Sequence, residues 1–389
     1  MSLDHAAASD QVNHVVSPRR AYRRLVVKLG TNILTAGSDR LDLEMMATLV
    51  GQVARLRREG GETVIVTSGG VAAGRERLQS PRRRRDLPYR QVLAAVGQVE
   101  LMQKYHQLFD WHDLIVGQAL LTRRDLVDRD GYLNARNTLL ALLEFGAVPI
   151  VNENDTVAVD QIAETRIGDN DNLSAYVANL IEADLLAILT NTGGLYTADP
   201  HLHPAATLIP RVDRIDAQVE ALAGGAISER AIGGMATKLQ AAKLATASGV
   251  DVVIVGAHEP QVLVRLTAGE SLGTFLPAVA DRVESRKRWM LAGLSARGHV
   301  TIDPGAVRAL RELGRSLLPA GVTEVEGPFA RGDTVTVLSA EGERVAFGIS
   351  NYDAADVQRI QGQKSEAIAE LLGHTYGSEV VHRNNLVLL

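Results

Sequence analysis

Two lysines stand where a lysine is costly. Lys28 closes the largely apolar run 24–29 (RLVVKL), so its ammonium falls at the end of a buried strand, where burial is expensive unless an anion meets it. Lys238 falls in the first turn of a helix opened by Ile232, Gly233, Gly234, Met235, Ala236 and Thr237. A cation there opposes the helix macrodipole unless phosphate occupies that end. An isolated lysine at such a place would simply extend to solvent. A third group, Asp169-Asn170-Asp171, follows Gly168 and precedes an apolar-periodic stretch. Read alone, the triplet is a good helix cap, since acid and amide side chains accept from orphan N–H groups.

The loops around these residues shift the balance toward chemistry. Four apolar runs end in polar or glycine-rich turns: Lys28-Leu29-Gly30-Thr31, Thr67-Ser68-Gly69-Gly70, Asn152-Glu153-Asn154-Asp155 and Thr190-Asn191-Thr192-Gly193-Gly194. In a parallel sheet these ends share one edge, so the loops converge on one crevice. Glycine suits such a place because a phosphate reaches main-chain N–H groups only where no Cβ intrudes. The chain has neither a Walker A sequence nor dinucleotide-binding spacing at Gly69–Gly74, which disfavours a P-loop NTPase and a Rossmann dehydrogenase. Misplaced lysines, glycine loops and an acidic cap favour phosphoryl transfer, where catalysis is mostly positioning and neutralisation of charge.

The elements that must position these groups alternate. Strands are expected at 24–29, 63–67, 114–121, 147–151, 185–189 and 252–255, with helices between them, including 90–111 and 134–145. That alternation predicts an α/β fold with a mainly parallel open sheet sandwiched by helices. Beyond about residue 286 the segments become short and β-rich, at 299–302, 334–338, 344–349 and 386–389, punctuated by Gly and Pro, which predicts a small β-barrel-like domain. The expected division is a disordered extension over 1–20, a main domain over 21–270, a linker over 271–285 and the small domain over 286–389. The basic block 82–85 reads as a solvated loop.

Composition closes off other classes. The 389 residues are 46% hydrophobic and 22% charged, with a net charge of −5 and no cysteine. Disulfides and thiolate chemistry are excluded, no apolar run reaches a membrane span, and nothing in the overall charge attracts nucleic acid. The cytoplasm is the expected location.

The segments VVKLGTN, VTSGGVAAGRE, LAAVGQ, LLTRRD, LNARNTL, PIVNENDTVA, IGDNDNLSA, GLYTADP and GGMATKLQAA, in this order, resemble the amino-acid kinase family, in its glutamate-phosphorylating branch. RKRW, VTIDPGA, SLLPAGV and FARGD resemble the PUA domain that many of these kinases append. The resemblance implies ATP-dependent phosphorylation of the L-glutamate side-chain carboxylate, the first step of proline biosynthesis, with feedback by proline and a homo-oligomer. It implies that Lys28 and Lys238 bracket the transferred phosphoryl group and that Asp169 orients them. Ser68, Asp155 and Asn170, with Asn152 nearby, match glutamate-binding positions. Thr190, Asn191 and Ile232 to Lys238 match nucleotide-binding positions, and Mg²⁺ enters as the nucleotide's counter-ion without a named protein ligand. A downstream glutamyl phosphate reductase is the candidate protein partner. Where the family more often has Asp, Thr and Ser, this chain has Asn191, Ile232 and Ala236, so departures are expected in nucleotide affinity rather than in the chemistry.

Two other readings compete. One is a sibling kinase acting on another carboxylate, carbamate or nucleotide; NENDTVA and GDNDN argue against it. The other is an inactive RNA-binding or regulatory protein, which intact Lys28, Asp169 and Lys238 oppose. RNA binding by the C-terminal domain is not favoured either: residues 286–389 hold 12 Lys and Arg and 12 Asp and Glu, whereas RNA affinity draws on neutralised phosphates. Its aromatic residues, Trp289, Phe329, Phe347, Tyr352 and Tyr376, read as core before they read as base-stacking platforms. The domain is expected to tune assembly or regulation.

Overall fold

The computed structural model describes residues 22–79, 87–158, 170–200, 202–223, 234–279 and 296–389. The 1–20 extension, the basic block 82–85, Asp169, Ile232, Gly233 and Trp289 lie outside the described residues.

Among these, seven strands form one sheet, β1 (Arg24–Leu29), β2 (Glu62–Val66), β3 (Val116–Leu121), β4 (Val148–Glu153), β5 (Leu185–Thr190), β6 (Asp251–Gly256) and β7 (Thr274–Leu276), in the order β3-β4-β2-β1-β5-β6-β7. Every pairing is parallel except that of β6 with β7. The mainly parallel α/β sheet predicted from the alternation of elements is therefore present.

Strand periodicity sorts the core into two layers. Leu25, Val27 and Leu29 of β1 pack with Met46, Leu49, Val50 and Val53 of the helix Leu43–Arg58, which starts where the Asp42 side chain accepts from the Met45 N–H. Tyr105 and Phe109 of the helix Leu87–Asp110 join that layer. Val26 faces the other way, onto Ala175, Val177 and Ala178 of the helix Asn170–Leu180 and Leu239, Ala242 and Ala245 of the helix Met235–Ala247. Lys28 has the parity of Val26, so β1 carries its ammonium toward the first turns of these two helices.

Two expectations change. The helix expected at 134–145 spans Arg129–Glu144, because the Asp128 side chain accepts from the Gly131 N–H and starts it a turn early. The stretch expected as linker supplies β7, which pairs Leu276 with Val252. Its Thr274 hydroxyl accepts from the Leu195 N–H and donates to the Ile209 carbonyl, so this short edge strand is tied down on both sides.

The C-terminal residues form a five-stranded sheet, β8 (Gly298–Ile302), β9 (Val322–Glu326), β10 (Thr334–Ser339), β11 (Arg344–Ile349) and β12 (Leu386–Leu388), in the order β12-β11-β10-β8-β9, around its own apolar core. The two sheets meet at the helix Arg129–Glu144. Leu133 packs with Ile349 and Val387, and Arg331 donates to Asn134 Oδ1 at 2.6 Å while lying over the Tyr376 ring. Phe329 and Tyr352 are core, Phe347 is half-buried and Tyr376 is exposed.

Candidate active site

Because β1, β2, β4 and β5 run parallel, their C-terminal ends open on one edge. There they line a cleft of about 570 Å³ whose walls include Lys28, Gly30, Ser68, Gly69, Asn152, Asp155, Asn170, Thr190, Asn191 and Lys238. Four loops read as strand ends in the sequence thus reach the same space.

At its floor lies a charge cluster. Asp171, wholly buried, forms an ion pair through Oδ1 with Lys28, which is 2% exposed. Asp171 Oδ2 lies 3.4 Å from Lys238 Nζ and accepts the Thr237 hydroxyl at 2.7 Å. Lys238 is 7% exposed and does not extend to solvent. The carboxylate was expected at Asp169; the described carboxylate that meets both lysines is Asp171, two positions on. Asp171 thus brings two buried ammonium groups together at the cleft floor, a place whose chemistry suits an anionic ligand. The helix Met235–Ala247 adds to this: Gly234 caps it without a side-chain bond, and the positive end of its dipole favours an anion there.

The opposite wall is polar and largely neutral. Asn170 Nδ2 lies 2.5 Å from the Thr67 carbonyl oxygen, 2.9 Å from Ser68 Oγ and 2.9 Å from Asn152 Oδ1. Asp155 sits at the rim with Arg90; burial pushes its carboxyl up from the ordinary value, and the Arg90 guanidinium opposes the shift. Gly69 takes φ +97°, a left-handed conformation that turns the chain from β2 into the next helix. Sequence reasoning missed Arg75 and Arg90, both of which line the cleft, Arg75 while paired with Asp39 at 2.8 Å. Arg75 was visible only as part of VAAGRE, and Arg90 followed a basic block that reads as solvent-facing.

A model of the amino acid kinase family matches residues 23–256, and one of the PUA domain matches residues 298–372. The glutamate 5-kinase of Dehalococcoides mccartyi is 53% identical over 369 residues, covering 95% of this chain and 99% of that one. The glutamate 5-kinase of Deinococcus radiodurans is 52% identical over 366 residues, covering 94% of this chain and 100% of that one. The chain belongs to the amino acid kinase family. Among solved structures, the UMP kinase of Bacillus anthracis matches with a TM-score of 0.45 at 15% identity, over 67% of this chain and 97% of that one.

Of the positions expected from the sequence to hold nucleotide, Thr190, Asn191 and Lys238 line the cleft, whereas Ala236 lines a separate apolar hollow with Leu239 and Leu244. Met235 packs against the core and Thr237 is spent on Asp171. Among the described residues no three His or acid side chains group as a metal site, and no helix is long and apolar enough to cross a membrane.

Proposed function

We infer that this chain transfers the γ-phosphoryl group of ATP to the side-chain carboxylate of L-glutamate, giving glutamyl 5-phosphate and ADP at the first step of proline biosynthesis. The observation that carries the reading is the Lys28–Asp171–Lys238 cluster, an anion-seeking charge buried where four strand ends meet. A glutamate carboxylate oxygen attacks the γ-phosphorus, the bond to the bridging oxygen breaks, and ADP leaves with that electron pair. The nucleophile is already ionised at neutral pH, so no general base is required. Lys28 and Lys238 stabilise the charge on the equatorial oxygens, and Asp171 holds the two ammonium groups apart and aimed. Ser68, Asn152, Asp155 and Asn170 hold glutamate, with Asp155 opposite its α-ammonium. Thr190, Asn191 and the 232–238 segment hold the nucleotide. Mg²⁺ suits a site whose oxygen ligands come mostly from phosphates and water, and when bound it neutralises phosphate charge.

The same reading makes the protein a cytoplasmic homo-oligomer, feedback-inhibited by proline and supplying a glutamyl phosphate reductase. It assigns the C-terminal domain to assembly or regulation. The kinase unit runs from about residue 21 to β7. The test is an ATP-consumption assay over a panel of amino acids and nucleoside monophosphates, with hydroxylamine trapping the acyl phosphate. Hydroxamate formed with glutamate alone supports the reading; ADP release driven by aspartate or a nucleotide, with glutamate inert, overturns it.

A further inference from the structure

The motif LAAVGQ has no place in the chemistry above, yet its last residue touches the cleft wall from behind. The helices Gly70–Arg77 and Leu87–Asp110 cross at glycines: a Cβ on Gly97 would lie 1.7 Å from the Gly70 carbonyl oxygen, and one on Gly74 would lie 1.9 Å from that of Leu93. This approach brings Gln98 Oε1 within 2.8 Å of Asn152 Nδ2. Asn152 Oδ1 accepts from the Glu153 backbone N–H at 2.9 Å and from Asn170 Nδ2 at 2.9 Å. Gln98 belongs to one helical layer, Asn152 to β4, and Asn170 to the helix of the other layer. Three amides therefore form a chain across the sheet edge.

The direction of this chain is fixed by its backbone ends. A main-chain N–H only donates, so Glu153 holds Asn152 Oδ1 toward itself and leaves Nδ2 to face Gln98. A main-chain carbonyl only accepts, so Thr67 holds Asn170 Nδ2 and turns Asn170 Oδ1 away, buried and without a hydrogen-bond partner among the described residues, in a residue that lines the cleft. We propose that Gln98 is a positioning residue for substrate selection: by accepting from Asn152 it holds Asn152, and through it Asn170, in place at the cleft wall beside Asp155, where the α-ammonium of glutamate is read. If Gln98 loses its acceptor, Asn152 Nδ2 is orphaned in a buried place, and Asn152 shifts to find it a partner, taking Asn170 out of its position at the wall.

This proposal rests on the glutamate-kinase reading, and the experiment separates the two. The ratio of kcat/KM for glutamate to that for glutarate, which lacks the α-amino group, is measured in the wild type, Gln98→Leu and Gln98→Glu, together with the KM for ATP and the thermal midpoint. Gln98→Leu keeps size and removes the acceptor. It is expected to raise the glutamate KM about tenfold or more and to narrow the ratio by a similar factor, with the ATP KM unchanged. Gln98→Glu keeps an acceptor toward Asn152 and gives up only Nε2, which has no partner among the described residues, so it restores the ratio to within about threefold of wild type. An unchanged ratio in a folded Gln98→Leu protein overturns the proposal. So does an equal rise in both KM values, or a Gln98→Glu protein that loses selectivity as fully as Gln98→Leu. A wild type inert toward glutamate would instead defeat the functional reading itself.

Discussion

The cleft and the C-terminal domain both bury polar groups, and they do so to opposite ends. Around Tyr352 of the C-terminal domain the polarity closes on itself. The Tyr352 hydroxyl donates to the Gly377 carbonyl at 2.5 Å and accepts from the Tyr376 N–H at 2.9 Å, while the Ser350 hydroxyl donates to the Tyr352 carbonyl at 2.6 Å. These groups are neutral, and together they pin the loop that carries residues 375–377. At the cleft, burial gathers charge instead: two ammonium groups meet at one carboxylate where strand ends converge. Neutral groups that bond one another hold a loop in place, whereas charge gathered at the mouth of a sheet is suited to a ligand.

Breaking the charge cluster should have the largest consequence. Asp171→Asn removes the carboxylate that two buried cations share, so unfolding by denaturant should show a loss of about 3–5 kcal/mol, with turnover abolished. Lys238→Met removes one donor to the transferring phosphoryl group and should lower kcat by about 10²–10³ at near-normal stability. Normal turnover in either folded variant would dissolve the contrast drawn here.

The rim sharpens the comparison. Asp155→Ala should raise the glutamate KM by about 10–100-fold while the ATP KM moves little, since the lost contact is a charged hydrogen bond to the substrate alone. Burial raises the Asp155 pKa, and only the ionised form attracts an ammonium. Glutamate kcat/KM is therefore full above that raised pKa and falls as pH drops through it. Asp155→Asn should lower the plateau and remove this limb, leaving only the substrate's own titration.

On the closed side, Tyr352→Phe orphans the Tyr376 N–H and leaves the Gly377 carbonyl with the Thr375 hydroxyl, so it should cost about 1–3 kcal/mol of stability in calorimetry and leave kcat and both KM values unchanged. The smallest expected effect is none: titrating the full chain with RNA near physiological salt should give no submicromolar binding. Tight binding with a steep dependence on salt would show that the C-terminal domain also gathers charge for a ligand.

How much of this could be read from the sequence differs between the same two regions. The strand ends were legible because apolar runs stop at glycine and polar residues, and a parallel sheet then dictates where those stops meet. Lys28 and Lys238 were legible because each is misplaced in its element. Asp171 was not singled out, since a helix cap constrains residue type more than the direction in which each side chain turns. β7 was hidden because three residues carry no periodicity, and only pairing with β6 makes them a strand. In the C-terminal domain β9 was missed for a related reason: VTEVE buries only two of its five residues. Gln98 could not be read at all, for its role depends on two helices approaching through Gly70, Gly74 and Gly97.

The strand order also has a consequence in time. β1 lies at the centre of the sheet, and one of its neighbours, β5, follows it by about 160 residues, as the bond from the Arg24 N–H to Asp184 shows. At roughly 5–20 residues per second, a ribosome emits β1 on the order of 10–30 s before the strand that completes its pairing. Through that interval Leu25, Val27 and Leu29 have half a binding partner, and Lys28 has no Asp171. The nascent chain is thus most open to aggregation and to chaperones early in synthesis, and slowing translation between residues 66 and 185 should prolong that exposure more than slowing it anywhere downstream.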